Sequence, residues 1–190
     1  MATSGGAGKD TVADYIVNVL MNGKAQKRAL GLPIHELAEQ FADRGVERHH
    51  LQALGESVRE IFGVDTWIKY LDRKTKDLTV PLVIPDIRKL IEYSYYCVEK
   101  GFAPLYIYVT PDVAKQRLME RDGGFNEKDL EQSIERQMTF IEQFPMDTVG
   151  EDGLWKLDAP YPFNEIYVVN NSGDLEKTKK QLDTWFERVM

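Results

Sequence analysis

The chain has 190 residues, 43% hydrophobic and 29% charged, with a formal net charge of −7. This length suits one domain with a substantial core, and the acidic balance argues against broad, sequence-blind nucleic-acid binding, which relies on neutralising phosphates. The single cysteine, Cys97, rules out an internal disulfide and suits a reducing, cytoplasmic setting; no apolar run approaches the ~18 residues of a membrane span, and no signal-peptide pattern is present.

Met1-Ala2-Thr3 open the chain. Three residues are too few for a central strand of about 5–6, so the first strand of the sheet is expected to be missing or truncated. Next come Ser4-Gly5-Gly6-Ala7-Gly8-Lys9-Asp10-Thr11 and then Val12, Ile16, Val19 and Leu20 at helical spacing. A glycine-rich turn that ends in Gly-Lys and opens a helix is a way to hold phosphate. The glycines let successive N–H groups turn towards one anion, the helix start adds positive potential, and Lys9 adds a full charge. The stretch departs twice from G-x-x-x-x-G-K-[ST]: Thr3 stands at the first glycine and Asp10 at the Mg²⁺-binding hydroxyl, while Thr11 is still placed to meet a phosphate oxygen.

A short strand is expected over Gln26–Leu30, followed by a helix opened by Pro33 and running through Phe41. Leu51, Leu54, Val58, Ile61 and Phe62 mark a further helix that stops near Gly63. Val80–Asp86 reads as a strand buried on both faces, ending in Asp86-Ile87-Arg88. A helix follows from Leu90 to Lys100, then a strand over Leu105–Val109. Thr110-Pro111 reads as N-cap and first helical residue of a helix to about Arg121. Asp122-Gly123-Gly124 breaks the chain before a helix from Glu127 that ends ahead of Phe144-Pro145. Met146–Phe163 reads as loop, Glu165–Asn170 as the last strand, and Asn171-Ser172-Gly173 leads into a helix with Leu175, Leu182, Trp185, Phe186 and Val189 inward.

Helices alternating with buried strands predict an α/β fold, a parallel sheet with helices on both faces. Ligands in such sheets bind beyond the carboxyl ends of the strands. The glycine loop, Asp86-Ile87-Arg88 and Asn170–Gly173 all fall there.

Phosphoryl transfer needs a cradle for the donor, a metal, and cations over the moving group. Lys9 and the loop amides supply the cradle. Asp86, at a strand end, is the candidate Mg²⁺ carboxylate, ahead of Asp10. Arg88 is placed to reach an acceptor phosphate from the same sheet edge, and Arg59 lies near the polar face of its helix. Arg117, Arg121 and Arg136 bracket the Gly123-Gly124 break as a hinged lid that excludes water. Against each stands a plainer role: a cap for Asp86, a surface ion pair for each arginine. Trp67 either walls a substrate pocket or packs in the core. His49-His50 diverge by about 100° on a helix and read as surface. Tyr93, Tyr95 and Tyr96 read as packing and interface residues, which allows a homodimer, and Cys97 as a packing residue.

These segments resemble the P-loop nucleoside monophosphate kinases, closest to the phage and bacterial deoxynucleoside monophosphate kinases. Gly8-Lys9-Asp10-Thr11-Val12-Ala13-Asp14 looks like that group's phosphate loop and helix start, and Leu54-Gly55 through Arg59 to Trp67 like its acceptor-side helix. Asp86-Ile87-Arg88 with Glu92 looks like its Asp-Val-Arg-x-x-x-Glu segment, Arg117 and Arg121 like its lid arginines, and Asn170, Asn171, Ser172 and Gly173 like its adenine loop. Lys89-Leu90-Ile91 replaces the more usual Phe-Pro-Asn. The resemblance implies one kinase domain over 1–190, with an acceptor-side helical region at about 33–77 and a lid at about 117–136.

It further implies ATP as donor, with Gly5, Gly6, Ala7, Gly8, Lys9, Asp10 and Thr11 around its phosphates and Asp86 in the Mg²⁺ shell. Arg59, Arg88, Trp67 and Arg136 fall on the acceptor side, and Arg117 and Arg121 at the moving group. The expected activity is phosphorylation of a (deoxy)nucleoside monophosphate. Another phosphorylated acceptor, of the dephospho-coenzyme A or phosphomevalonate type, and nucleotide binding without transfer are the alternatives.

Overall fold

A computed structural model describes residues 1–2, 5–43, 45–122 and 139–190. Helix α1 (Lys9–Tyr15) runs on into a π-helical turn, Ile16–Leu20. Strand β1 (Gln26–Lys27) is followed by α2 (Leu32–Glu39), α3 (Arg48–Phe62), α4 (Thr66–Thr75) and β2 (Leu82–Val83). Helix α5 (Leu90–Tyr93) continues as a π-helical segment to Glu99; then come β3 (Leu105–Tyr108) and α6 (Pro111–Asp122). A 3₁₀ turn, Thr139–Gln143, precedes β4 (Met146–Thr148), β5 (Trp155–Leu157), β6 (Tyr167–Asn170) and α7 (Leu175–Val189).

β1 and β2 pair in parallel, and β3 pairs in parallel with β6. Met1 lies beside β3: its amino group donates to Leu105 O (2.8 Å) and its carbonyl accepts from Ile107 N (2.8 Å). That is the pattern of a parallel bridge opposite Tyr106. So the first strand, expected to be missing or truncated, is represented by Met1 alone at the edge of β3. An apolar groove of about 580 Å³ runs between the two pairs, lined by Leu82, Val83, Leu105, Ile107, Cys97 and Trp185 among others.

Side chains of β3 and β6 alternate between two cores, as a pleated strand requires. Tyr106 and Val168 join Trp67, Ile68, Leu71, Tyr93 and Tyr96 on one side. Leu105, Ile107 and Val169 join Val12, Ile16, Ala114, Leu182 and Trp185 on the other. Helices therefore cover both faces. Tyr93 and Tyr96, each 2% exposed, pack within the chain.

The stretch Met146–Phe163, expected to be loop, instead holds the antiparallel pair β4–β5, and β5 pairs antiparallel with β6. The sheet is thus mixed. Its signal was present in Asp152-Gly153: Gly153 takes φ 80° at the turn, as hairpin turns favour. Strands of three residues are too short to show alternation. The strands expected over Gln26–Leu30 and Val80–Asp86 are each reduced to two residues. Helix α4 was not anticipated as an element, though it falls in the helical region expected at 33–77. The helix expected from Glu127 lies mostly outside the described residues.

Candidate functional site

The glycine turn delivers Lys9 as the first residue of α1. Gly8 is its N-cap at φ 82°, ψ 24°, a left-handed conformation that a residue with a Cβ adopts only with strain. Gly6 also has positive φ (75°), and a Cβ there would sit 2.6 Å from the carbonyl oxygen of Ala114. The loop therefore lies with its backbone directly on α6. Arg117, one turn further along α6, brings its Nη1 to 3.5 Å from Gly6 O.

The segment after β6 holds the loop from the other side. Asn171 is 5% exposed; its Nδ2 donates to Ala7 O (2.8 Å) and its Oδ1 accepts from Thr178 Oγ1 (3.0 Å). A Cβ on Gly8 would fall 2.5 Å from that Nδ2. Asn170 caps its own turn by accepting from Ser172 N, and Ser172 Oγ accepts from Thr110 N (2.9 Å). The carboxyl ends of β3 and β6 are thereby tied together beside the loop. Asn171, expected to meet the donor nucleotide, spends its side chain on the loop itself. Gly173 is exposed.

Both Lys9 and Asp86 act electrostatically on the Met1 amino group. The amino group of Met1 is buried, and its pKa is pushed down to about 5, first by burial and then by the Lys9 charge, with Cys97 and Asp86 acting the other way. Asp10 faces outward, 3.6 Å from Lys27, which sits 2.6 Å from Asp14. Thr11 is exposed and Gly5 half-buried.

Asp86, just past β2, accepts from the backbone N–H of Leu30 (2.8 Å) and Gly31 (2.7 Å) at the start of α2. Gly31 is the N-cap of α2 and Leu30 the residue before it, so Asp86 fixes how β1 leads into α2. Beyond it, Glu92 is 4% exposed and accepts from the N–H groups of both Arg88 (2.9 Å) and Lys89 (3.0 Å). Its other oxygen lies 3.3 Å from Arg59 Nη2. Burial raises its pKa, opposed by those two N–H groups and by Arg59. Arg59 Nη1 also meets Glu56 (2.9 Å), as does Lys89 Nζ (2.8 Å). Arg88 Nε is buried with no hydrogen-bond partner among the described residues. Trp67 is 6% exposed and donates to Gly55 O (3.2 Å), bracing α3 against α4.

The structure therefore joins the glycine loop, Lys9, Arg117 and Asn170–Ser172 in one cluster, and Arg59, Arg88 and Glu92 in a second. Asp86 links the two through the chain. Arg121 lies on α6, its side chain outside the described residues; Ser4 and Arg136 fall outside them altogether. Lys89 and Glu56 were not singled out from the sequence. The available signal was the i, i+3 spacing of Glu56 and Arg59 and the adjacency of Lys89 to Arg88.

The donor set suits Mg²⁺. Mg²⁺ is held by one or two carboxylates with waters and substrate phosphates rather than by an all-protein cage. A carboxylate offers about four lone-pair positions, and Asp86 uses two of them on N–H groups. Among the described residues no cluster of three or more His, Cys, Asp or Glu side chains stands ready to hold a metal alone.

No family model and no curated protein matches the chain. Among solved structures, all of the chain aligns with 90% of a gluconokinase from Sinorhizobium meliloti 1021, at 13% identity and a TM-score of 0.53. It also aligns along its whole length with 95% of TT1252 from Thermus thermophilus, at 20% identity and a TM-score of 0.52. Identities this low carry the architecture alone, an α/β fold shared with these two structures. No helix of the described residues is long and apolar enough to cross a membrane.

Proposed function

We propose that the chain transfers the terminal phosphoryl group of ATP to a (deoxy)nucleoside monophosphate, yielding ADP and the diphosphate. One observation carries the reading: the left-handed Gly8 that sets Lys9 and the amides of α1 at the carboxyl edge of the sheet. In this reading 1–190 is one kinase domain, with acceptor-side helices at about 33–77 and a lid at about 117–136.

Gly5–Thr11 would cradle the donor phosphates, with Lys9 as the mobile charge at the far phosphate. Asp86 would hold Mg²⁺, which would supply positive charge against the donor phosphates. Asn170–Gly173 would border the nucleotide, Asn171 by fixing the loop. Arg59 and Arg88 would orient the acceptor phosphate, the unpartnered Nε of Arg88 among the donors that could turn to it. Arg117 and Arg121 would act at the transferring group, and Arg136 would reach the acceptor as the lid closes and excludes water, which would otherwise divert the chemistry to hydrolysis.

The likeness to a gluconokinase structure supports a second reading: the same donor site with a different small acceptor. Coupled ADP release with Mg²⁺-ATP against the common NMPs, dNMPs and gluconate, with Lys9→Ala as control, decides. Release that depends on one or two monophosphates and is lost in the variant supports the first reading. Release with gluconate alone supports the second.

A further inference from the structure

We propose that Lys89 is a third acceptor-binding cation, and that Glu56 occupies the place of the acceptor's phosphate until a dianionic phosphate monoester displaces it. This rests on the monophosphate-kinase reading above and extends it to two residues that reading does not use.

The geometry separates two carboxylates by depth. Glu92 is the inner one, with a side chain 5% exposed, fixed by two backbone N–H groups and by Arg59. Glu56 is the outer one, 42% exposed, and its bonds to Arg59 and Lys89 run through a single oxygen, Oε1. The cations it holds are the more buried partners: side chains of Arg59 and Lys89 are 11% and 13% exposed. A buried ammonium or guanidinium needs an anionic or hydrogen-bonding partner. Glu56 meets that need from the solvent side, on a side chain with rotamers to spare, so it can leave without unfolding α3.

Charge then selects the ligand. Arg59, Arg88 and Lys89 carry three positive charges against one negative charge on Glu92 once Glu56 swings away. The remaining excess of two matches a phosphate dianion. A sugar-acid carboxylate, with one charge, would leave the site half-neutralised. The five N–H donors of arginine allow Arg59 to keep Glu92 while turning others to the ligand.

The test uses the full chain and the monophosphate that supports ADP release, titrated at saturating Mg²⁺-ATP. Lys89→Ala should raise the acceptor KM about tenfold through loss of one charge-assisted bond, with the KM for ATP unchanged. Lys89→Arg should recover most of the loss. Glu56→Gln should lower the acceptor KM severalfold, because the phosphate no longer displaces a carboxylate. Thermal midpoints are measured alongside: a purely structural ion pair would lower the midpoints of Lys89→Ala and Glu56→Gln while leaving both KM values in place. That outcome, or both variants moving the acceptor KM in the same direction, overturns the assignment while the kinase reading stands. Absence of turnover with every monophosphate would remove that reading and this assignment with it.

Discussion

Asn171 donates its side-chain N–H to the carbonyl of Ala7 at 2.8 Å, and the same nitrogen stands where a Cβ on Gly8 would have to go. The loop that presents Lys9 is therefore held by a buried amide that follows the last strand of the sheet. Residues 164 positions apart in sequence set one loop conformation.

Two substitutions test that clamp. Asn171→Ala leaves Ala7 O without its side-chain donor and Thr178 with only Asp174 O to donate to, and should cost about 1–3 kcal/mol of stability, with a weaker KM for ATP. Gly8→Ala combines φ 82° with the clash against Asn171, so it should reduce donor binding more than Asn171→Ala does. Urea unfolding and ATP titration measure both. Unchanged ATP binding in both variants would show that the loop conformation does not matter for the donor.

Lys9→Ala removes the charge at the first residue of α1. Turnover should fall on the order of a hundredfold, as for loss of one preorganised charge-stabilising donor, with the variant still folding cooperatively in urea. Full turnover in the variant would contradict the phosphate-loop reading outright.

The layered architecture was legible because α/β proteins announce themselves: apolar runs alternate with helical periodicity, and glycine and proline mark the boundaries. The glycine loop was legible for the same local reason, as was most of the last helix, whose Leu182 and Trp185 are buried as its spacing requires, whereas Leu175, expected inward, is 47% exposed in the first turn. What the sequence hid is non-local. The pairing of Asn171 with Ala7, and of Asp86 with Leu30 and Gly31, joins segments with no shared periodicity. Trp67 reads as pocket or core because an indole suits both; its N–H partner, Gly55 O, favours the core. The β4–β5 hairpin escaped because three-residue strands carry no period.

Trp67→Phe isolates that decision. An aromatic ring is kept and the indole N–H is lost, which removes the side-chain hydrogen bond to Gly55 O, a carbonyl inside α3 that keeps its helical partner. Stability should fall by about 0.5–1.5 kcal/mol, read as a lower urea midpoint with the m-value unchanged. The acceptor KM should hold within twofold. A large KM change at unchanged stability would return Trp67 to the pocket wall.

Cys97 reports on the groove between the strand pairs, which it helps to line. Burial pushes its thiol pKa up to about 11 from an ordinary 9, with the Met1 amino group pulling weakly the other way. A two-unit rise cuts the thiolate fraction about a hundredfold, and the thiolate is the nucleophile. Iodoacetamide at pH 8 should therefore leave native protein largely unmodified and label it rapidly in urea. The same shift has a signed effect on stability. Between pH 9 and 11 the unfolded chain gives up this proton while the folded chain keeps it, so the contribution is complete below pH 9 and fades as pH rises towards 11. Cys97→Ala removes that contribution alone. The stability difference between wild type and Cys97→Ala should accordingly move against wild type across that window and stay flat from pH 6 to 8. Rapid native alkylation at pH 8, or a flat difference up to pH 11, would place the thiol in solvent and open the groove that the two cores enclose.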